Sequence, residues 1–321
     1  MDQRLLLMHQ AMLADRPRLE AYDRALARAV RPGDVVADVG AGTLVLSLLA
    51  LRHGAGRVFA VEADPATAAV AARIAEHNDL GGRLTVVRAD ARTVRLPKRA
   101  DVVVAEMMGN LGPEEQMMEV LDAFARGNLA PGGRVVPQRL VTHLAAVEFD
   151  GEGWGVWGED FFGHRLDVVQ ECAPPGAQLH FFQRRPTLLS EPVPIADNRI
   201  GDRSAAVVRR VRDLVVTRPG TLHAVAGFFT ATLAEDVRLS NFPSYPGCNW
   251  AVWIWPLRHT PVAAGDVLRV RVRRPEGVRV ATDWRLECGL DRAVRPAASR
   301  GPGECGAQPG DTASPGAVGR P

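Results

Sequence analysis

Glu106 and Glu115 are the first residues whose type and spacing could do chemistry, in the stretch Glu106-Met-Met-Gly-Asn-Leu-Gly-Pro-Glu-Glu115. Two carboxylates brought together raise each other's pKa unless a cation lies between them. A planar guanidinium, with five fixed donors, matches such a pair better than an ammonium does. The stretch follows an apolar run, Ala100-Asp-Val-Val-Val-Ala105, that reads as a buried parallel strand. Pro113 suits a first helical position, and Met117, Val120, Leu121 and Phe124 recur at helical spacing. The pattern predicts a helix over 113–126 with Glu115 in its first turn. Gly109, Asn110 and Gly112 let the loop fold back, so that both carboxylates face one spot beyond the strand ends, where open parallel sheets bind ligands. The plainer alternative is a strand-to-helix loop in which Glu114 and Glu115 only complement a helix N-terminus.

A second set of residues is spaced for a nucleoside. Asp38-Val-Gly40-Ala-Gly42-Thr-Leu follows the apolar strand segment Asp34-Val-Val-Ala. A glycine pair there lets a ligand approach the backbone. A dinucleotide site calls for a third glycine three residues after Gly42, and Val45, Leu46 and Ser47 stand there instead. Glu62 ends the next strand, 20 residues beyond Gly42, where its carboxylate can accept both hydroxyls of a ribose. Asp90 ends the third strand and can take an adenine amino group. A nucleoside held without a pyrophosphate points to S-adenosylmethionine.

The elements that must position these residues alternate. Residues 3–30 read as one amphipathic helix interrupted near Pro17, and a helix starts near Thr43. Strands follow at 57–62, 83–88 and 100–105, with a helix at 65–78 and a fifth strand after the turn at Pro131-Gly-Gly. Strands alternating with helices make a doubly wound, Rossmann-like α/β sheet. Beyond about residue 138, strand-like segments at 140–148, 178–182, 206–217, 222–233, 250–258, 266–273 and 278–287 predict a mainly antiparallel β-barrel domain. The expected organisation is a cofactor-covering helix over 1–32, a cofactor domain over 33–137 and a barrel over 138–289. An arm rich in Gly, Trp and Phe spans 151–182, and a tail over 290–321 is disordered by composition.

Composition narrows the function. The 321 residues carry a net charge of +2, which gives no broad electrostatic case for nucleic acid or membrane. Four cysteines form no paired motif and eight histidines show no metal-ligand spacing, so no metal is expected and a reducing cytoplasm fits. No apolar run approaches the roughly 18–20 residues of a membrane span.

On these residues the chain resembles the protein arginine methyltransferases over most of 8–290. The resemblance lies in Met8-His9-Gln-Ala-Met12-Leu13-Ala-Asp15-Arg-Pro-Arg18, in Asp38-Val-Gly-Ala-Gly-Thr, and in Val61-Glu62-Ala63. Its most specific part is Glu106-Met-Met-Gly…Glu115-Gln-Met, with the spacing of that family's double-glutamate loop. Leu189-Ser-Glu-Pro, Gly227-Phe-Phe, Asn249-Trp250 and Thr260-Pro-Val-Ala-Ala-Gly-Asp fall in the order of its barrel segments. The resemblance implies that Arg18 holds the cofactor carboxylate, that His9 and Met12 line its methionine end, and that Asp38, Gly40, Gly42, Glu62, Ala63, Asp90 and Ala91 complete the cofactor site. It implies that Glu106 and Glu115 clamp a guanidinium beside Met108, Asn249 and Trp250, and that the arm forms a homodimer.

The departures shape the expected substrate. Residues 1–8 hold no aromatic where the family has a tyrosine-bearing segment, and Asn249 stands for the family's histidine. Asp15, its partner lost, is expected as a helix-surface acid. Leu44 replaces a glycine, and Arg92 and Thr93 stand where the family has acids near the adenine. Trp250 is open to two readings, pocket wall or barrel core with Trp253 and Trp255. The expected activity is methyl transfer to a guanidino nitrogen of free L-arginine or a similar small metabolite. Arginine in a protein or peptide, another small-molecule acceptor, and an idle cofactor-binding partner subunit are the alternatives.

Overall fold

In the computed structural model the described residues are 3–112, 116–150, 160–169, 176–182, 184–199, 209–242, 250–274 and 284–293. Glu115 and Asn249, residues 151–159 and 170–175 of the expected arm, and residues 294–321 lie outside them.

The chain opens with two helices rather than one interrupted helix: α1 (Gln3–Ala14) and α2 (Arg16–Ala29). Asp15 ends the first and caps the second, its carboxylate accepting the Arg18 backbone N–H. Pro17 lies in the first turn of α2, where its missing N–H costs nothing.

Five strands form the parallel sheet: β1 (Val35–Val39), β2 (Arg57–Glu62), β3 (Leu84–Arg88), β4 (Ala100–Ala105) and β5 (Leu129–Val136). They lie in the order β3-β2-β1-β4-β5. Every residue of β1 is buried, as an unbroken apolar run requires when helices cover both faces. The helices are α3 (Val45–Arg52), α4 (Pro65–His77) and α5 (Met117–Asn128). The strand order reverses between β1 and β4, so the crevice at their carboxyl ends is the switch point where ligands bind in such sheets. Asp38 lies in β1 and Glu106 directly follows β4.

The helix expected over 113–126 begins instead at Met117. Gln116, just before it, has φ +58, a left-handed conformation that ends the loop abruptly. Leu121 and Phe124 are fully buried, as their spacing required; the expected start of the helix at 113–115, with Glu115, lies outside the described residues.

The remaining chain is antiparallel. β6 (Arg139–Glu148), β13 (Gly220–Ala234) and β15 (Val252–Val262) form the centre of a seven-stranded sheet. β9 (Gln178–His180), β10 (Thr187–Leu188), β11 (Val193–Arg199) and β14 (Val237–Ser240) extend it. β12 (Arg209–Val215), β16 (Val267–Arg273) and β17 (Arg285–Asp291) form a second sheet. Leu144, Leu189, Leu214, Trp253, Trp255, Leu268 and Val270 fill the space between the two sheets. Strands β10, β11 and β14 have no counterpart among the expected segments. They are short or polar on alternate residues, which leaves little apolar signal. Within the expected arm, β7 (Asp160–Phe161) and β8 (His164–Arg165) make a small hairpin with Phe162 fully exposed at its turn.

The last strand corrects the expected tail. β17 runs through Asp291, past the boundary at 289, with Asp291 paired to Val267. The Ala293 and Ala263 backbone N–H groups, and then Arg292, bind the buried Asp266 carboxylate, which pulls its pKa down to about 2.

Candidate active site

The glycine turn after β1 is held by β2. Gly40 and Ala41 donate backbone N–H bonds to the Val61 carbonyl at 2.9 and 3.1 Å, and Gly42 donates to Glu62 Oε2 at 3.0 Å. Gly40 and Gly42 have φ of +74 and +51. A Cβ on Gly42 would lie 2.9 Å from His9 Cε1, and one on Gly40 would lie 3.0 Å from Met107 Sδ. Positive φ favours glycine at both positions, and a Cβ at either would press on a side chain, that of His9 or of Met107. Leu44, the departure noted above, also adopts a left-handed φ of +69. Glycine would take that conformation without strain. Leucine holds it because its side chain is wholly buried in the core.

Asp38 is buried below this turn. Its Oδ2 accepts the Ser47 hydroxyl at 2.6 Å, while Oδ1 has no partner. Burial raises its pKa to about 6, with the Ser47 bonds opposing the shift. His9, on α1, is nearly buried, and burial lowers its pKa against the pull of Glu62.

Arg18, at the start of α2, makes the central contacts. Its NH1 donates to Glu106 Oε2 at 2.9 Å, and its Nε and NH2 reach Asp15 Oδ2 at 3.1 Å. Its guanidinium lies 3.4 Å from the Trp250 ring centroid, a stacked cation–π arrangement. The side chains of Arg18 and Glu106 are 5% and 14% exposed, so removing Arg18 would leave two carboxylates, Asp15 and Glu106, without their shared cation. Burial raises the Glu106 pKa, opposed by Arg18 and by the Met108 backbone N–H, which donates to Oε1 at 3.1 Å. Trp250 Nε1 donates to the Met108 carbonyl at 3.1 Å. Trp250 packs with the parallel-sheet core, whereas Trp253 and Trp255 pack in the barrel. It is thus buried in a core separate from that of the two tryptophans that follow it, and it reaches the cavity only through Arg18.

A cavity at the carboxyl ends of the strands joins seven of the fifteen expected site residues. His9, Met12, Arg18, Asp38, Gly40, Gly42 and Glu106 all line it. Glu62 stands at its rim, bonded to Gly42 and to the Asp64 backbone N–H. Ala63 is exposed, and neither it, Asp90 nor Ala91 lines the cavity. The Asp90 carboxylate is taken up by Arg92, through its backbone N–H and its guanidinium. Still, Asp38, Glu62 and Asp90 lie at the carboxyl ends of three adjacent strands, or just past them, an edge suited to the length of a nucleoside.

Two residues at the site were not among those expected there. Asp15 is 1% exposed, not a surface acid: capping α2 turns its carboxylate inward to Arg18. The Asp-Arg-Pro sequence carried that signal, an Asx cap before a proline in the first turn. Tyr22 lines the cavity, fully buried, and its hydroxyl donates to the Ala105 carbonyl at 2.9 Å beside Glu106. Its spacing of four from Arg18 puts both on one helix face.

Residues 19–135 match the family model described as ribosomal protein L11 methyltransferase (PrmA), which covers the parallel-sheet half. The chain is 38% identical over 142 residues to a probable histone-arginine methyltransferase CARM1 of Oryza sativa subsp. indica, covering 44% of this chain and 27% of that protein. It thus spans about a quarter of that relative's length. It is 29% identical over 276 residues to the arginine N(omega)-methyltransferase of Streptomyces achromogenes subsp. streptozoticus, covering 82% of this chain and 75% of that one. In fold it is similar to the Trypanosoma brucei PRMT1 enzyme-prozyme heterotetrameric complex with AdoHcy. That match has a TM-score of 0.74 and 20% identity, over 89% of this chain and 93% of that one. In sequence the chain is thus similar to arginine methyltransferases, and in fold to a solved structure of that kind.

Proposed function

We propose that the chain is an S-adenosylmethionine-dependent N-methyltransferase that methylates a guanidino nitrogen of free L-arginine or a related small guanidino metabolite. The observation that carries the guanidino reading is the placing of Trp250 and the partly buried Glu106 around a guanidinium, here that of Arg18. One aromatic face and one carboxylate oxygen at 2.9 Å are the elements that recognise this planar cation.

The cavity fits the cofactor. Asp38 Oδ1 is a buried acceptor without a donor, and the Gly40–Gly42 turn, at positive φ, is closely covered by the side chains of Met107 and His9. S-adenosylmethionine, when bound, supplies an electrophilic methyl on a sulfonium. Arg18, His9, Met12, Asp38 and Glu62 would hold it. The chain's own part is electrostatic and geometric. A cationic acceptor and a cationic methyl donor repel in a closed site, and the Glu106 charge offsets that repulsion. Holding two guanidino nitrogens fixed localises positive charge on them and leaves the third more nucleophilic. Asp15 and Glu106 keep Arg18 in place beside the same pocket. Glu115, by the family resemblance, supplies the second carboxylate.

The small-acceptor reading is supported by the departures of the sequence from the family pattern. Asn249 departs from the family's histidine. Homodimerisation and a cytoplasmic location are part of the same reading. Among the described residues no helix is long and apolar enough to cross a membrane, and no side-chain group is arranged to hold a metal.

The test is mass spectrometry of reactions containing S-adenosylmethionine and either free L-arginine or an arginine-rich peptide. A gain of one methyl on free arginine alone is the expected result. Methylation of the peptide alone would replace this reading with the protein-modifying one. Methylation of neither, with cofactor still bound, would remove the guanidino assignment.

A further inference from the structure

The guanidinium slot takes one wall from each half of the molecule. Glu106 follows the parallel strand β4, and Trp250 precedes the antiparallel strand β15. Something must fix one against the other.

The loop carrying Glu106 closes as a tight turn. Gly109 and Gly112 bond each other in both directions, at 3.0 and 2.9 Å, with Gly112 at φ +97. The carbonyls at the corner of such a turn have no strand partner of their own. Here each is met by a barrel side chain. Asn241 Nδ2 donates to the Asn110 carbonyl at 2.8 Å, and Thr142 Oγ1 donates to the Leu111 carbonyl at 2.8 Å. With the Trp250 bond to Met108, three carbonyls of residues 108–111 are held from the barrel.

The apex is also plugged in. Leu111 is fully buried within the barrel core, opposite Gly227, where a Cβ would lie 2.7 Å from Leu111 Cδ2. Asn241 does more than hold the turn. Its Oδ1 accepts the Phe229 backbone N–H at 2.9 Å, and its Nδ2 also donates to the Ala251 carbonyl at 2.9 Å. Phe229 meets the Trp250 ring edge-on at 5.2 Å, and Ala251 is the residue after Trp250. One buried amide therefore ties the loop bearing Glu106 to both neighbours of the Trp250 wall.

We propose that Asn241 and Thr142 are positioning residues that register Glu106 against Trp250, so that the barrel sets the geometry of a carboxylate belonging to the parallel-sheet half. The effect on turnover rests on the guanidino reading above; the effect on the loop does not. Neither residue lines the cavity, so each acts only through the loop and the tryptophan. A displacement of the order of 1 Å at a reacting group can cost about 10²-fold in rate.

Thr142→Val keeps the branched shape a strand prefers and removes only the donor to Leu111. Thr142→Ser restores the donor, and Asn241→Ala removes the larger anchor. For each full-length variant, kcat and KM for the guanidino acceptor are measured together with S-adenosylhomocysteine affinity. Hydrogen exchange of the amides of residues 106–112 is followed in parallel. Thr142→Val is expected to lower kcat/KM on the order of 10-fold, with cofactor affinity within about 2-fold, faster exchange in the loop and recovery in Thr142→Ser. Asn241→Ala is expected to lose more. Thr142→Val kinetics equal to the parent's, or a cofactor affinity falling in step with the rate, would overturn the proposal. If the parent methylates no guanidine, the functional reading fails, and loop exchange decides alone: exchange unchanged by Thr142→Val refutes positioning, and faster exchange supports it.

Discussion

Replacing Asp38 by asparagine isolates the cost of keeping a buried carboxylate beneath the glycine turn. The side chain is 1% exposed, Oδ2 is bonded to Ser47, and Oδ1 has no donor. Burial raises the pKa from 3.8 to about 6. Below pH ~3.8 the folded and unfolded chains both carry the proton, so the group costs nothing. As pH rises toward about 6, the unfolded chain releases the proton first, and folded-state stability falls. Above that the penalty is complete. A gap of about two pH units at ~1.4 kcal/mol each amounts to about 3 kcal/mol. Asparagine keeps an acceptor for Ser47 and has no charge to lose. Urea unfolding of the ligand-free parent and of Asp38→Asn, between about pH 4 and pH 8, measures the difference. The variant is expected to gain about 3 kcal/mol relative to the parent across that window and then to level off. A difference that stays flat with pH would refute the reasoning. A group that lowers stability at neutral pH is consistent with a charge kept for a cationic or hydroxyl-bearing ligand, so the same variant is expected to bind S-adenosylmethionine less tightly.

Glu106→Gln is expected to lower turnover about 10²-fold or more with cofactor affinity retained, read by single-turnover kinetics and calorimetry; near-normal turnover would remove Glu106 from the chemistry. Gly42→Ala places a Cβ 2.9 Å from His9 at a positive φ, so it should weaken cofactor binding more than it lowers the melting temperature; unchanged affinity would show that α1 yields freely. Leu44→Gly relieves a left-handed φ worth roughly 1–2 kcal/mol but removes a fully buried side chain worth about 2–5 kcal/mol. The net expectation is a loss of about 1–3 kcal/mol in urea unfolding, and a gain would mean that strain dominates at this turn.

The legible parts of the site were those tied to one stretch of chain. Asp38, Gly40 and Gly42 follow a buried strand, and their place at the switch point comes with any doubly wound sheet. Arg18 was placed at the cavity, yet its partners were not: Asp15 turned inward because a cap's side chain must face its own helix. The Asp90 prediction met a local competitor, Arg92, two residues away, whose guanidinium neutralises it. The start of α5 was misplaced because Gln116 takes a left-handed conformation that no propensity marks. Strands β10, β11 and β14 escaped notice because pairing with β6 and β13, not their own apolarity, makes them strands.

What the sequence determined by itself is the order of elements, the glycine turn and the carboxylates at strand ends. These depend on periodicity and on backbone conformations available to particular residues. Only the tertiary structure decided that Trp250 faces Arg18 across the two halves, and that Asn241 and Thr142 hold the loop that carries Glu106. Those contacts join residues 31 to more than 200 positions apart. No local pattern encodes them, because they exist only once two independently patterned sheets have packed together.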